Sequence, residues 1–191
     1  MRILKFCALV LTFAMAVPLW AQSMSGDKAP DIAGVLNNRL SQVEKEVTEA
    51  AEAMPEDKFS FAPSNGEFKG VRTFGEQVRH IANSNYLFGA GILQEKSPVD
   101  TSKENGPDTY KTKAEIMQYL KDSFAYAHKA MSAVNAANLV AEIPSPFNPK
   151  AKTTPLALAM VIYGHPFDHY GQMVVYLRMN GTIPPASRPR K

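Results

Sequence analysis

Thr154-Pro-Leu-Ala-Leu-Ala-Met-Val-Ile-Tyr-Gly-His165-Pro-Phe-Asp168-His169-Tyr-Gly-Gln172-Met-Val-Val-Tyr-Leu-Arg-Met-Asn180 has the marks of one long, buried helix. Pro155 suits the first turn of a helix, where its missing N–H leaves no bond unmade, and Gly181 is placed to stop the element. At 100° per residue His165 and His169 fall on one stripe with Leu158, Ile162 and Tyr176. Most of the remaining surface is apolar too, and a helix hydrophobic nearly all round is normally buried among others. The two imidazoles are therefore expected to point into a helical core. There each needs a hydrogen-bond partner or a metal, because an unsatisfied buried polar group costs about 1–3 kcal/mol.

Three more helices can be read outward from this one. Ile32, Leu36, Leu40, Val43, Val47, Ala50 and Met54 recur at steps of three and four, with Asp31 as N-cap and Pro55 as terminator. Thr73-Phe-Gly-Glu76 has the form of a capping box opening a second helix, whose stripe is Phe74, Val78, Ile81, Phe88 and Ile92. Thr112-Lys-Ala-Glu115 opens a third in the same way, with Ile116, Leu120, Phe124, Ala127, Met131 and Val134 facing the core. The polar and proline-rich stretches between them read as connections. No strand-like alternation competes, and no internal repeat is visible. The expected fold is all-α, an up-down four-helix bundle. Gly164 and Gly171 are expected to let a neighbouring helix approach closely.

The N-terminus has a different character. Arg2 and Lys5 precede an apolar run from Phe6 to Val17, followed by Pro18-Leu-Trp-Ala21, the three-part layout of a secretory signal peptide cut after Ala21. The run is shorter than the roughly 20 apolar residues a membrane span needs. The expected organisation is a signal peptide at 1–21 and one domain at 22–191, its core spanning about 30–185, exported to the periplasm or secreted. Cys7 is the only cysteine and lies in the leader, so the mature chain has no thiolate nucleophile, disulfide or Cys-based metal site. Removing Arg2 and Lys5 from the 21 basic residues leaves 19 against 18 acidic, a balance that offers no basic stripe for nucleic acid. No stable membrane span is expected after the leader, and a homodimer is compatible with the sequence.

Chemistry must then come from His, carboxylates, hydroxyls or backbone. The His165/His169 spacing can present two nitrogens to one metal ion; it equally fits a pair of core histidines satisfied by hydrogen bonds. His80, early in the second helix, and His128, late in the third, both sit at the edges of core faces. Asp168 and Gln172 are the candidate catalytic groups. Asp168 could orient an imidazole or act as a base, and Gln172 could hydrogen-bond a ligand histidine or a bound water.

Ala50 to Pro63, Thr73-Phe-Gly-Glu-Gln-Val-Arg-His80-Ile-Ala, His165-x-x-x-His169-Tyr-Gly-Gln172 and Tyr176-Leu-Arg-Met-Asn-Gly-Thr-Ile-Pro-Pro185 resemble the DinB-like (YfiT-like) family of metal-binding four-helix bundles. The resemblance runs from about residue 30 to 185. It implies a divalent metal held by His80, His165 and His169, while His128 matches no ligand position. Three His ligands leave a divalent ion open positions, as in catalytic sites, and lower the pKa of a bound water. His and water suit Zn, Ni, Fe or Mn alike. The resemblance further implies a metal-dependent hydrolase or transferase acting on a small molecule; relatives that use low-molecular-weight thiols are mainly cytoplasmic, where such thiols are abundant. The alternative is a non-catalytic, stress-associated bundle that binds a metal or ligand.

Overall fold

The computed structural model describes residues 31–189, so the signal peptide expected at 1–21, with Cys7, lies outside the described residues. Helix α1 spans Ile32–Ala53, α2 Phe74–Leu93, α3 Lys113–Ser132 and α4 Pro155–Met179. Their ends follow from local chemistry. Asp31 accepts from the Gly34 N–H, both capping boxes (Thr73 with Glu76, Thr112 with Glu115) are formed, and Thr154 caps α4 ahead of Pro155. Gly181, just past the end of α4, has a φ of +71°, a backbone conformation that glycine adopts freely. The helix is unbroken across Pro166, which is buried.

The four-helix bundle expected from the sequence is the fold. Each of α1 and α2 packs against both α3 and α4, which leaves α1 opposite α2 and α3 opposite α4 across the bundle. Side-chain contacts fix the directions. Helices α2 and α4 run antiparallel, with Gln77 meeting Gln172 at one end and Gly91 facing Leu158 at the other. Helices α1 and α3 are antiparallel as well, through Asn37 with Ser132 and Lys113 with the Met54 carbonyl. Helices α2 and α3, though consecutive, run parallel: Gly75 faces Ile116, Asn85 bonds Ser123 and Gly89 faces Tyr126. A parallel pair needs a connection that travels back along the bundle. At about 1.5 Å per residue a helix like α2 is about 30 Å long. The 94–112 connection can cover that when extended.

Leu40, Met54, Phe74, Ile81, Leu120, Phe124, Met131, Ile162 and Leu177 are fully or almost fully buried between the helices. Each such side chain stabilises the fold by about 1.5–3 kcal/mol relative to exposure. Helix α4 departs from the sequence expectation on its outer face. Met160, Val175 and Met179 are about half exposed, and a side chain added at Gly164 or Gly171 would meet nothing within 4 Å. Each helix of such a bundle has only two neighbours within the chain. A helix that is apolar all round therefore keeps one face unburied, and the two glycines lie on it instead of under a neighbouring helix. The proline-rich 133–154 segment also carries a short antiparallel hairpin, β1 Ile143–Pro144 with β2 Lys152–Thr153. Two residues per strand are too few for alternation to register in a sequence. Among the described residues no helix is long and apolar enough to cross a membrane.

Candidate metal centre

Three imidazoles meet between α2 and α4. One ring nitrogen from each of His80, His165 and His169 lies within 4.8 Å of the other two. His165 Nε2 is 3.1 Å from His80 Nε2 and 2.9 Å from His169 Nε2. One turn of α4 separates its two histidines, and the antiparallel packing of α2 brings His80 to the same level. His169 is buried, while His80 and His165 are half-buried at the edge of the site.

The outer nitrogens decide what the inner ones offer. His80 Nδ1–H donates to the backbone carbonyl of Glu104 at 2.7 Å, an acceptor that fixes the proton on Nδ1 and leaves a bare lone pair on Nε2. His169 Nδ1–H donates to Gln77 Oε1 at 2.5 Å, with the same result. Gln77 is buried and is held in turn, its Nε2–H donating to Gln172 Oε1 at 2.9 Å. His165 Nδ1 is buried without a partner among the described residues. Two bare lone pairs thus face His165 Nε2, which carries at most one proton. A cation satisfies all three nitrogens at once. Ligands about 2.0–2.1 Å from a tetrahedral zinc ion are about 3.3 Å apart, close to the observed spacing. The residues fit a divalent metal.

Their protonation suits it too. Burial pushes His165 down from the ordinary imidazole value to about 4, with His80 adding to the effect. His169 falls to about 3, again chiefly by burial and then by its two histidine neighbours. His80 is also lowered by burial, against the opposing pull of its bond to the Glu104 carbonyl. All three are neutral near pH 7, the form that ligates.

The 94–112 connection, forced back along the bundle by the parallel α2–α3 pair, is what carries the Glu104 carbonyl to His80. Asn83 Nδ2 donates to the Lys103 carbonyl at 3.0 Å, Arg79 donates to the Pro107 carbonyl at 3.1 Å, and Tyr110 stacks on Tyr119. Gly106 turns the segment at φ +69°, where a Cβ would stand 3.1 Å from the Tyr119 hydroxyl. Arg72 pairs with the Glu104 carboxylate and with Asn105 Oδ1 at 2.6 Å. Beside the histidines lies a cavity of about 580 Å³, open to solvent and lined in part by His80 and His165.

Of the sequence candidates, His80, His165 and His169 come together. His128 lies elsewhere, between the Asn37 amide (2.6 Å) and the Glu44 carboxylate (3.0 Å), tying α3 to α1. Asp168 is exposed on α4; its carboxylate slightly opposes the fall in the His165 pKa. Gln172 reaches His169 only through Gln77. Sequence reasoning missed Gln77, although a polar residue on the buried stripe one turn before His80 was a usable signal. It also missed the Glu104 carbonyl, for which no side-chain signal exists.

The DinB superfamily model matches residues 39–173. The chain belongs to the DinB superfamily. No curated protein matches its sequence. A DinB-like protein from Bacillus cereus ATCC 10987 superposes with a TM-score of 0.64 at 17% identity, covering 81% of this chain and 96% of that one. The DinB-like protein YjoA from Bacillus subtilis does so with a TM-score of 0.62 at 21% identity, covering 82% and 99%. At such identities the likeness extends to the superfamily fold alone.

Proposed function

We propose that this DinB-superfamily chain is an exported metalloprotein in which His80, His165 and His169 hold one divalent cation, and that it acts as a metal-dependent hydrolase or transferase on a small molecule. The observation that carries the reading is the convergence of three Nε2 atoms, two of them on rings whose Nδ1–H is already donated. Zn, Ni, Fe and Mn all suit such a donor set. When bound, the cation supplies Lewis acidity, which lowers the pKa of nearby water, toward about 7 in the zinc case.

The chain's own residues do the rest. The Glu104 carbonyl and Gln77 orient two of the rings, burial keeps all three neutral, and the cavity at His80 and His165 admits a second molecule. That opening favours turnover over the alternative of a non-catalytic metal- or ligand-binding bundle, for which a sealed site would suffice. Gln172 acts here through Gln77, and Asp168, exposed one turn from His165, is the candidate base on α4. Export rests on the leader-like layout of residues 1–21, and an exported protein meets little reduced thiol, which favours hydrolysis over thiol transfer. A homodimer would cover the exposed Met160, Val175 and Met179 of α4.

Metal analysis of the purified protein and its single alanine variants tests the centre. About one divalent ion per chain is expected, lost in the His80, His165 and His169 variants and kept in the His128 variant. Retention in His80→Ala with loss in His128→Ala overturns the ligand set. A hydrolase substrate panel run with and without chelator then separates turnover from binding alone.

A further inference from the structure

The cavity beside the histidines is chemically lopsided. At about 580 Å³ it falls in the range of small-molecule sites. Leu87, Phe88, Pro146 and Phe147 make one apolar wall, and Ser84, Thr101 and Ser102 supply neutral hydroxyls. The one ionised side chain in the lining is Glu104, which is paired with Arg72. No lysine or arginine lines it, so away from a cation held by the histidines an anionic group would find no counter-charge.

The apolar wall is built, not incidental. Phe147 sits in the loop between β1 and β2, edge-to-face with Phe88 at 5.4 Å between ring centroids. It is 74% exposed, whereas Phe88 is buried. A large aromatic side chain left open to water at the mouth of a cavity costs free energy that an apolar ligand would recover. The hairpin that carries it is docked firmly. Pro146 packs against α2 at Gly91, where an added Cβ would come within 3.2 Å of the proline ring and 2.9 Å of Leu158. Ser145 N–H donates to the Ala151 carbonyl at 3.0 Å across the base of the loop. Phe147 thus borders the same cavity as His80 and His165, on a loop tied down at its base.

We propose that this cavity takes an uncharged small molecule with an aromatic end, seated against Phe88 and Phe147, and an oxygen-bearing end turned toward His80 and His165. For its polar end the inference rests on the three-histidine reading above; the aromatic end stands on the cavity wall alone. The ligand class is that of neutral aryl carbonyl compounds, such as esters or amides of aromatic acids, in preference to carboxylates or purely aliphatic analogues of the same donor group.

Two sets of probes test it. With zinc-loaded protein, calorimetry compares acetohydroxamate, benzohydroxamate and 4-carboxybenzohydroxamate, which share one metal-binding group. Burial of the phenyl ring should make benzohydroxamate bind about tenfold or more tightly than acetohydroxamate, and the added carboxylate should remove that gain. Phe147→Ala should shrink the phenyl advantage to about threefold or less while leaving acetohydroxamate and zinc affinity as they were. With metal-free protein, ligand-observed NMR should detect benzamide but not benzoate, and Phe147→Ala should abolish the signal. Equal affinity for the aryl and methyl hydroxamates, preference for the carboxylate, or indifference to Phe147→Ala overturns the proposal. Failure to bind zinc instead overturns the three-histidine reading, and the benzamide comparison then decides the cavity by itself.

Discussion

Gln77→Leu isolates the group that aims His169. The substitution keeps roughly the volume of the side chain and removes the acceptor that His169 Nδ1–H now reaches at 2.5 Å. Gln77 is 1% exposed and His169 5% exposed, so water does not readily replace the lost oxygen. An orphaned buried donor costs about 1–3 kcal/mol, and relief from burying the amide itself offsets part of this. The expected loss of metal-free stability is therefore about 1 kcal/mol. Metal affinity should suffer more. With its Nδ1 proton no longer held, His169 can shift tautomer and rotate, and loss of such a supporting bond commonly costs 10–100-fold in affinity. Gln172→Ala should fall between this variant and the wild type, because Gln172 is exposed and steadies only Gln77. Urea denaturation of the metal-free protein and zinc titration against a chromophoric chelator read the two effects separately. Zinc affinity within about threefold of wild type for Gln77→Leu, or a larger loss for Gln172→Ala than for Gln77→Leu, would mean that Gln77 does not hold His169 in place.

Other perturbations follow from the same geometry. The folded-state pKa values of His165 and His169, about 4 and about 3, lie below the unfolded imidazole value of 6.5, so the unfolded chain binds protons first on acidification. Metal-free stability should accordingly be flat near neutrality and fall as pH drops from about 6.5 toward about 4; urea midpoints that rise over that interval contradict the burial of neutral imidazoles. Asn83→Ala removes the anchor on the Lys103 carbonyl and loosens the segment that brings the Glu104 carbonyl to His80. About a tenfold loss of zinc affinity is expected by chelator competition, and an unchanged value would mean the connection holds itself in place. Gly89→Ala puts a Cβ 2.9 Å from two carbons of the Tyr126 ring at the α2–α3 contact, for a destabilisation of about 1–3 kcal/mol by denaturant midpoint. A variant as stable as wild type would show that Tyr126 moves away freely.

The helices were legible because their signals are local. Capping boxes at Thr73 and Thr112, Asp31 and Thr154 as N-caps, Pro155 and Gly181 at the ends of α4, and the three-and-four spacing of apolar residues each act within a turn or two of chain. The pairing of His165 with His169 was equally legible, since an α-helix fixes what lies four residues away. The addition of His80 rested on family resemblance, because periodicity placed His80 and His128 alike at helix edges. Packing separates them: His80 faces α4, and His128 is spent on joining α3 to α1.

The direction of α3, and all that depends on it, comes from long-range packing. Local chemistry starts and stops a helix but does not say which way its neighbour runs, since that depends on how long connections close and which apolar faces fit together. The parallel α2–α3 pair sends residues 94–112 back over the histidines, and so a backbone carbonyl that any residue would possess becomes the group that sets the His80 tautomer. The same long-range packing leaves the outer face of α4 in water and sets the Phe147 hairpin beside the site. Local residue order says which segments become helices and which side chains carry nitrogen; which nitrogens meet, and what stands around them, follows from the assembled bundle, because those distances are set by contacts far apart along the chain.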